Sequence, residues 1–180
     1  GESESRIGKL LAKEINGWIV STKVGEEFDG HQSHFDFSPE AIEASVYRSM
    51  KRLGKESLDI ALIHSNGDDE GVLLRFGALE KLQDLKKRGV VRAVGISYKT
   101  HLGAQIAISQ KADVIMATLN LSDTSQENSI NEAHKANIGV LIKKPFDSGH
   151  NASPSSLQFV LSHKEVSSAV IGTTSIEHLE

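Results

Sequence analysis

Two hydrophobic periods alternate along the chain. Short, β-rich apolar runs are followed by longer segments with the 3.6-residue period of an amphipathic helix. Because Leu58–Ile63 and Ile138–Ile142 are apolar on both faces, they are typical of parallel strands covered by helices. The runs predict six strands, over Trp18–Thr22, Leu58–Ile63, Val91–Ser97, Val114–Leu119, Ile138–Ile142 and Ser168–Ile171.

Helix start signals occupy the segments between these strands. Ser38-Pro39 and Ser153-Pro154 each place a capping hydroxyl before a proline at the first helical position. Thr124 with Glu127 predicts a capping box. A further helix is predicted over residues 4–15, ahead of the first strand. The sequence therefore predicts an α/β protein with a leading helix and six strand-helix units.

Composition narrows the class of protein. The 180 residues, 38% hydrophobic and 24% charged, are typical of one globular domain over residues 1–180. The absence of cysteine excludes a disulfide scaffold, and a net charge of −4 argues against nucleic-acid binding. No apolar run is long enough to cross a membrane, and the acidic start is unlike a signal peptide. We therefore expect a cytoplasmic protein with no nucleic-acid or membrane partner.

Polar residues follow every predicted strand. Because the carboxyl ends of parallel strands meet at one edge of the sheet, these side chains are predicted to converge. Each also has a structural alternative, such as a solvated lysine, a hydrogen-bonded rim histidine or a helix cap. The residues are Lys23, His64, Ser97, Asn120, Lys143, Lys144, Gly172, Thr173, Thr174 and Ser175.

Two other polar clusters predict no metal site. His31 and His34 lie near two aspartates in an apparent loop, but no further ligand has convincing spacing. The Asp68-Asp69-Glu70 run lacks the ligand spacing of a calcium loop and predicts a solvated helix start.

The order of several motifs resembles the aldo-keto reductases over essentially the whole chain. The lysine-bearing strand of that family is similar to Trp18–Lys23, and its histidine strand is similar to Leu58–His64. The other matching motifs are Ser38-Pro39-Glu40, Lys87–Ser97, Gly139–Pro145 and Val170–Leu179.

The resemblance implies a fold and a reaction. The family fold is a (β/α)₈ TIM barrel that binds a nicotinamide cofactor across its mouth. The reaction is hydride transfer between NADPH and a small aldehyde or ketone. A tyrosine donates the proton, a lysine paired with an aspartate lowers the pKa of that tyrosine, and a histidine orients the carbonyl.

The same resemblance assigns roles by position. Lys23 would be the lysine that lowers the tyrosine pKa, and His64 the carbonyl-orienting histidine. Ser97 would hold the nicotinamide carboxamide, although Met116 replaces a helpful glutamine and Tyr98 a frequent asparagine. The remaining cofactor-binding assignments, including phosphate contacts and a helix N-terminal cradle, are Asn120, Lys143, Lys144, Gly172, Thr173, Thr174, Ser175 and His178.

The beginning of the chain departs most from the family pattern. Gly1 corresponds to the stretch immediately after the catalytic tyrosine, so we expect the first two strands, with the aspartate and tyrosine, upstream of it. The final helix is also cut short. Tyr47 is predicted to pack against the sheet and Tyr98 to lie at the mouth, where it is a poor proton donor. The 180-residue chain alone is therefore expected to be nearly inactive.

Three alternatives stay open. The chain could be a catalytically silent nucleotide-binding module or subunit. It could be a barrel lyase in which Lys23, Lys143 or Lys144 forms a Schiff base. A doubly wound sheet is the alternative fold, but Val24-Gly25-Glu26 is a poor match to its glycine-rich turn. The sequence leaves NADPH versus NADH, the carbonyl substrate and the oligomeric state undecided.

Overall fold

A computed structural model describes residues 1–173, 175 and 177. The α-helices are α1 (Glu2–Leu10), α2 (Pro39–Leu53), α3 (Ala78–Lys87), α4 (His101–Ser109), α5 (Glu127–Lys135) and α6 (Pro154–Leu161). The strands are β1 (Ser21–Val24), β2 (Glu26–Phe28), β3 (Ser33–Phe35), β4 (Leu58–His64), β5 (Val91–Ser97), β6 (Val114–Thr118), β7 (Gly139–Lys143) and β8 (Ser168–Ala169). Short 3₁₀ turns occupy Ile15–Gly17 and Asp147–Gly149, and a π-helical turn occupies Gly71–Arg75.

The main sheet confirms the predicted fold class. Six strands pair in the order β1-β4-β5-β6-β7-β8, and every pair is parallel. Helices connect successive strands, as in a (β/α)₈ barrel, so the chain forms a partial barrel preceded by a helix. Within the described residues no helix is long and apolar enough to span a membrane.

The sheet buries two different faces. The helix-side face contributes Ala61, Ile63, Val94 and Ile115 to the large core shared with the helices. The opposite face of the sheet, which we call the inner face, carries a second, smaller apolar cluster. It contains Leu62, Val114 and Met116, with Ile60, Ala93 and Leu141 packed against them.

The first strand lies further along the chain than predicted. The sequence predicted Trp18–Thr22, whereas β1 covers Ser21–Val24. The Val20 amide donates to the side chain of Asp59 at 3.0 Å, and Trp18 and Ile19 are exposed, so the strand begins after them. The leading helix also ends earlier than predicted, at Leu10.

The β2–β3 hairpin was missed and read as a loop. Its two strands pair antiparallel, with Glu27 opposite His34. The side chain of Asp29 accepts from the His31 and Gln32 amides at 2.8 and 2.9 Å and closes the turn that contains Gly30. Aspartate followed by glycine is a hairpin signal, but the exposed strands lack apolar alternation, so the periodicity did not reveal them.

Two helix caps are confirmed and one is wrong. The hydroxyls of Ser38 and Ser153 accept from amides in the first turns of α2 and α6. Thr124 does not cap α5, because that helix begins at Glu127 after Gln126. The Gln126 side chain instead accepts from the Thr118 amide at 2.8 Å, which ties the start of α5 to the end of β6.

Candidate functional site

A row of polar side chains lies on the inner face at the carboxyl ends of the strands. Strand pairing places Lys23 opposite Leu62, His64 opposite Ser97, and Thr118 opposite Lys143. Alternate residues of a strand share a face, so His64 follows Leu62 on the inner side. The same alternation places Thr118 after Met116 and Lys143 after Leu141. The register therefore brings together Lys23, His64, Ser97 and Lys143 from four strands.

His64 forms its closest polar contact with a residue that the sequence analysis did not identify. Its Nδ1 pairs with the carboxylate of Glu26, which the hairpin brings beside the end of β4. An ionised carboxylate only accepts hydrogen bonds, so Nδ1 carries the proton. The neutral ring therefore presents Nε2 as a hydrogen-bond acceptor. Burial lowers the pKa of His64, and the positive charges of Lys23 and Lys143 lower it further. The carboxylate of Glu26 has the opposite effect and raises this pKa. His64 is therefore mainly neutral at pH 7.

Lys23 lies beside His64 in an open groove of about 830 Å³. Side chains of α1, β1, the hairpin and α2 line this groove, which also contains Glu4 and Glu26. Lys23 is exposed and forms no salt bridge with any carboxylate in the described part of the chain. Its charge is therefore available to a group that enters the groove.

Lys143 is held by neutral acceptors. Its amine donates to the Ser97 hydroxyl at 3.1 Å and to the Tyr98 carbonyl at 2.7 Å. Burial, followed by the charge of Lys144, lowers the pKa of Lys143 to about 8. This contact joins the ends of β5 and β7 across the strand between them.

Asp69 is buried, contrary to the prediction of a solvated helix start. Its Oδ2 accepts from the amides of Lys99 and Thr100, at 3.0 and 2.6 Å, and from the Thr100 hydroxyl at 2.7 Å. Only 1% of Asp69 is exposed, because α4 packs over it at Gly103. The carboxylate fixes the loop after β5, and with it the Tyr98 carbonyl that receives Lys143.

The side chain of Asn120 forms hydrogen bonds within the protein. Its Oδ1 accepts from the Ser122 and Asp123 amides, and its Nδ2 donates to the Lys144 carbonyl at 3.0 Å. Lys144 has a φ of 57°, which turns the chain after β7 and leaves its side chain exposed. Asn120 therefore shapes the loops at the strand ends, and its predicted contact with a cofactor stays a prediction.

Comparison with known proteins identifies the family. The model of the aldo/keto reductase family matches residues 1–153. The chain belongs to this family. A solved structure from Pseudomonas aeruginosa assigned to the aldo-keto reductases superposes with a TM-score of 0.93 at 36% identity, covering 99% of this chain and 70% of that one.

Two curated relatives are oxidoreductases. L-galactose dehydrogenase of Arabidopsis thaliana is 25% identical, over 99% of this chain and 67% of that protein. The NADH-specific methylglyoxal reductase of Escherichia coli is 26% identical, over 83% of this chain and 50% of that protein. An aldo-keto reductase from Bacillus halodurans shares the fold, with a TM-score of 0.85 at 21% identity.

Both tyrosines of this aldo-keto reductase chain lie away from the inner face. Tyr98 is fully buried in the helix-side core, where burial raises its pKa, so the expectation that it lies at the mouth is wrong. Tyr47 is 42% exposed and accepts a hydrogen bond from Arg88, so the expectation that it packs against the sheet is also wrong. Neither phenol reaches the groove of Lys23 and His64.

The predicted phosphate cradle follows β8. Gly172 and Thr173 are exposed, and the Thr173 hydroxyl accepts from the Ser175 amide at 3.1 Å. The other two predicted contacts, Thr174 and His178, lie outside the described residues. His34, weighed as a metal ligand, contacts Asp29 in the hairpin turn at 2.7 Å.

Proposed function

We propose that this family member transfers hydride between a nicotinamide cofactor and a small aldehyde or ketone. The observation that carries the proposal is the placement of Lys23 and His64 together in one groove beside the first strand, β1. NADPH is the cofactor we expect, with NADH as the alternative that the name of the Escherichia coli relative favours.

The side chains of the strand ends fit an anionic, amide-bearing cofactor. Lys23, Lys99, Lys143 and Lys144 form no salt bridges within the described chain, so their charges are available to phosphates. The Ser97 hydroxyl is the candidate for the nicotinamide carboxamide. Gly172, Thr173, Thr174, Ser175 and His178 stay our candidates for the phosphate and ribose end.

In the proposed reaction the bound cofactor supplies a hydride to the carbonyl carbon. Lys23 would place its charge beside the phenol of the tyrosine that the family resemblance implies, and so lower the pKa of that phenol. His64 positions the carbonyl oxygen. Because Glu26 holds the Nδ1 proton, donation from Nε2 requires either a second proton on the ring or release of Glu26.

Cofactor titration tests the binding half of the proposal. The purified protein is titrated with NADPH and with NADH, and protein fluorescence is followed. We expect saturable binding of at least one cofactor with a Kd in the micromolar range, as is ordinary for such sites. Binding no better than that of an unrelated control protein would remove the reductase proposal.

Turnover tests the catalytic half. A chain extended at its N-terminus to include the implied aspartate and tyrosine is expected to oxidise NADPH with an aldehyde. Lys23→Met should lower kcat about 10²- to 10⁴-fold, the usual contribution of an acid-base group. Lys51→Met is the matched control, because Lys51 is an exposed lysine of α2 that does not line the groove. An equal loss in both variants would argue against the role of Lys23.

A nucleotide-binding module without turnover is the second candidate. The burial of Tyr98 and the position of Tyr47 favour it for the 180 residues alone, since neither supplies a proton at the groove. For these residues we expect cofactor binding without aldehyde-dependent NADPH oxidation. Oxidation at an ordinary enzyme rate by the 180-residue chain would exclude this candidate.

A further inference from the structure

Lys143 has an environment that differs from those of Lys55 and of its own neighbouring lysines. Lys55 is also buried, but it forms a salt bridge with Asp59 at 2.7 Å. Lys99 and Lys144 are exposed to water. Lys143 is partly buried on the inner face, and among the described residues its amine donates hydrogen bonds to the Ser97 hydroxyl and the Tyr98 carbonyl, neither of which carries a charge.

Both hydrogen bonds can be donated by the neutral form of the amine. A neutral primary amine has two N–H groups and one lone pair, whereas the ammonium form has three N–H groups and no lone pair. Ser97 and Tyr98 each accept one N–H group, and neither carries a negative charge that would favour the ammonium form. The neutral amine therefore keeps both hydrogen bonds and retains a lone pair.

The charges around Lys143 also disfavour the ammonium form. Lys144 on the following residue, Lys23 on β1 and Lys99 on the loop after β5 all repel it, and His64 on β4 is mainly neutral. Asp69 is the carboxylate that acts in the opposite direction. With a pKa of about 8, about a tenth of the amine is unprotonated at pH 7, against one in a few thousand for an ordinary lysine.

We propose that Lys143 is a nucleophilic amine that captures small aldehydes reversibly as an imine. The nitrogen lone pair attacks the carbonyl carbon to form a carbinolamine, in which the carbonyl oxygen becomes a hydroxyl. Loss of that hydroxyl with a proton releases one water molecule and leaves a carbon–nitrogen double bond. The addition involves no change of oxidation state and is reversed by water.

The position of Lys143 determines which aldehydes can reach it. The amine lies in the same inner-face row as His64 and Ser97, at the carboxyl ends of the strands. Apolar residues Leu141 and Met116 lie below it on the same face, which favours a short, uncharged carbon chain. The capture requires no cofactor and therefore does not depend on the proposed reductase activity.

Reductive trapping tests the capture. The purified protein is incubated with propionaldehyde and cyanoborohydride, without nicotinamide cofactor, and the alkylated lysines are quantified by peptide mass spectrometry. At pH 7 and short times, alkylation of Lys143 is expected to exceed that of Lys99 at least tenfold. Lys99 is the internal reference because it is exposed on a neighbouring loop.

The pH dependence separates a reactive amine from a merely accessible one. Between pH 7 and pH 10 the excess of Lys143 alkylation should shrink several-fold, because an amine with a pKa of about 8 is mostly deprotonated above pH 8, whereas an ordinary lysine is still gaining free amine. Lys143→Arg should abolish the trapped product at this position and leave the Lys99 signal unchanged. A ratio near one throughout the pH range would overturn the proposal, whatever the outcome of the cofactor titration.

Discussion

At the scale of single residues, the pair of Glu26 and His64 controls the chemistry available at the groove. The carboxylate determines which ring nitrogen carries the proton, and burial keeps the ring mainly neutral. A histidine assigned to orient a carbonyl is thus an acceptor at Nε2 until a second proton binds. A residue of the hairpin consequently sets the tautomer of His64, whereas burial at the end of its own strand favours the neutral ring.

Glu26→Gln should lower the pKa of His64 further, because the substitution removes the negative charge that favours the imidazolium form. Histidine ring proton shifts followed by NMR during a pH titration give the measurement. Glu27→Gln is the matched control, since Glu27 pairs with Arg48 and not with His64. An unchanged or higher His64 pKa in Glu26→Gln would contradict the expectation.

At the scale of elements, close approach between neighbouring strands depends on Gly95. A Cβ at this position of β5 would collide with the Val114 carbonyl on β6. At Gly139, on β7, the nearest atom would lie at 3.5 Å, which is ordinary contact. The two strand glycines therefore differ in how much space their neighbours leave, although both lie in the same parallel sheet.

Gly95→Ala should reduce the free energy of unfolding by about 1–3 kcal/mol, the typical range for overpacking. Gly139→Ala should change it by less than about 1 kcal/mol. Urea denaturation followed by circular dichroism measures both. Equal effects of the two substitutions would show that the distance between β5 and β6 can increase at Gly95 without a cost in stability.

At the scale of the whole molecule, β1 is an edge of the sheet among the described strands, since it pairs only with β4. Trp18 and Ile19, immediately before this edge, are 55% and 77% exposed. An exposed parallel edge flanked by apolar side chains favours association with another chain. The position of β1 in the fold therefore bears on whether the 180-residue chain associates in solution.

The 180-residue chain should therefore associate with itself in a concentration-dependent way, as measured by sedimentation velocity. Ile19→Lys should weaken the association several-fold, because a charge at a strand edge opposes pairing. Leu74→Lys is the control, since Leu74 is 57% exposed in the π-helical turn away from this edge. Association weakened equally by both substitutions would indicate nonspecific contact.

Much of the architecture was predictable from local patterns. The strands β4, β5, β6 and β7 were predicted to within about one residue at each end, because continuous apolar runs bounded by polar residues mark buried parallel strands. The strand-end positions of His64, Ser97 and Lys143 followed from the same runs. The β2–β3 hairpin was missed because its strands are exposed, and exposed strands carry no comparable period.

The sequence by itself determined the order of the elements and which polar residues end the strands, since both depend on neighbours within a few residues. Only the tertiary structure decided which of those residues meet. Lys143 contacts residues 45 and 46 positions away, and His64 meets Glu26 from a separate hairpin. Register and burial arise from packing across the whole sheet, so contacts at such separations leave no local signal that a sequence pattern can carry.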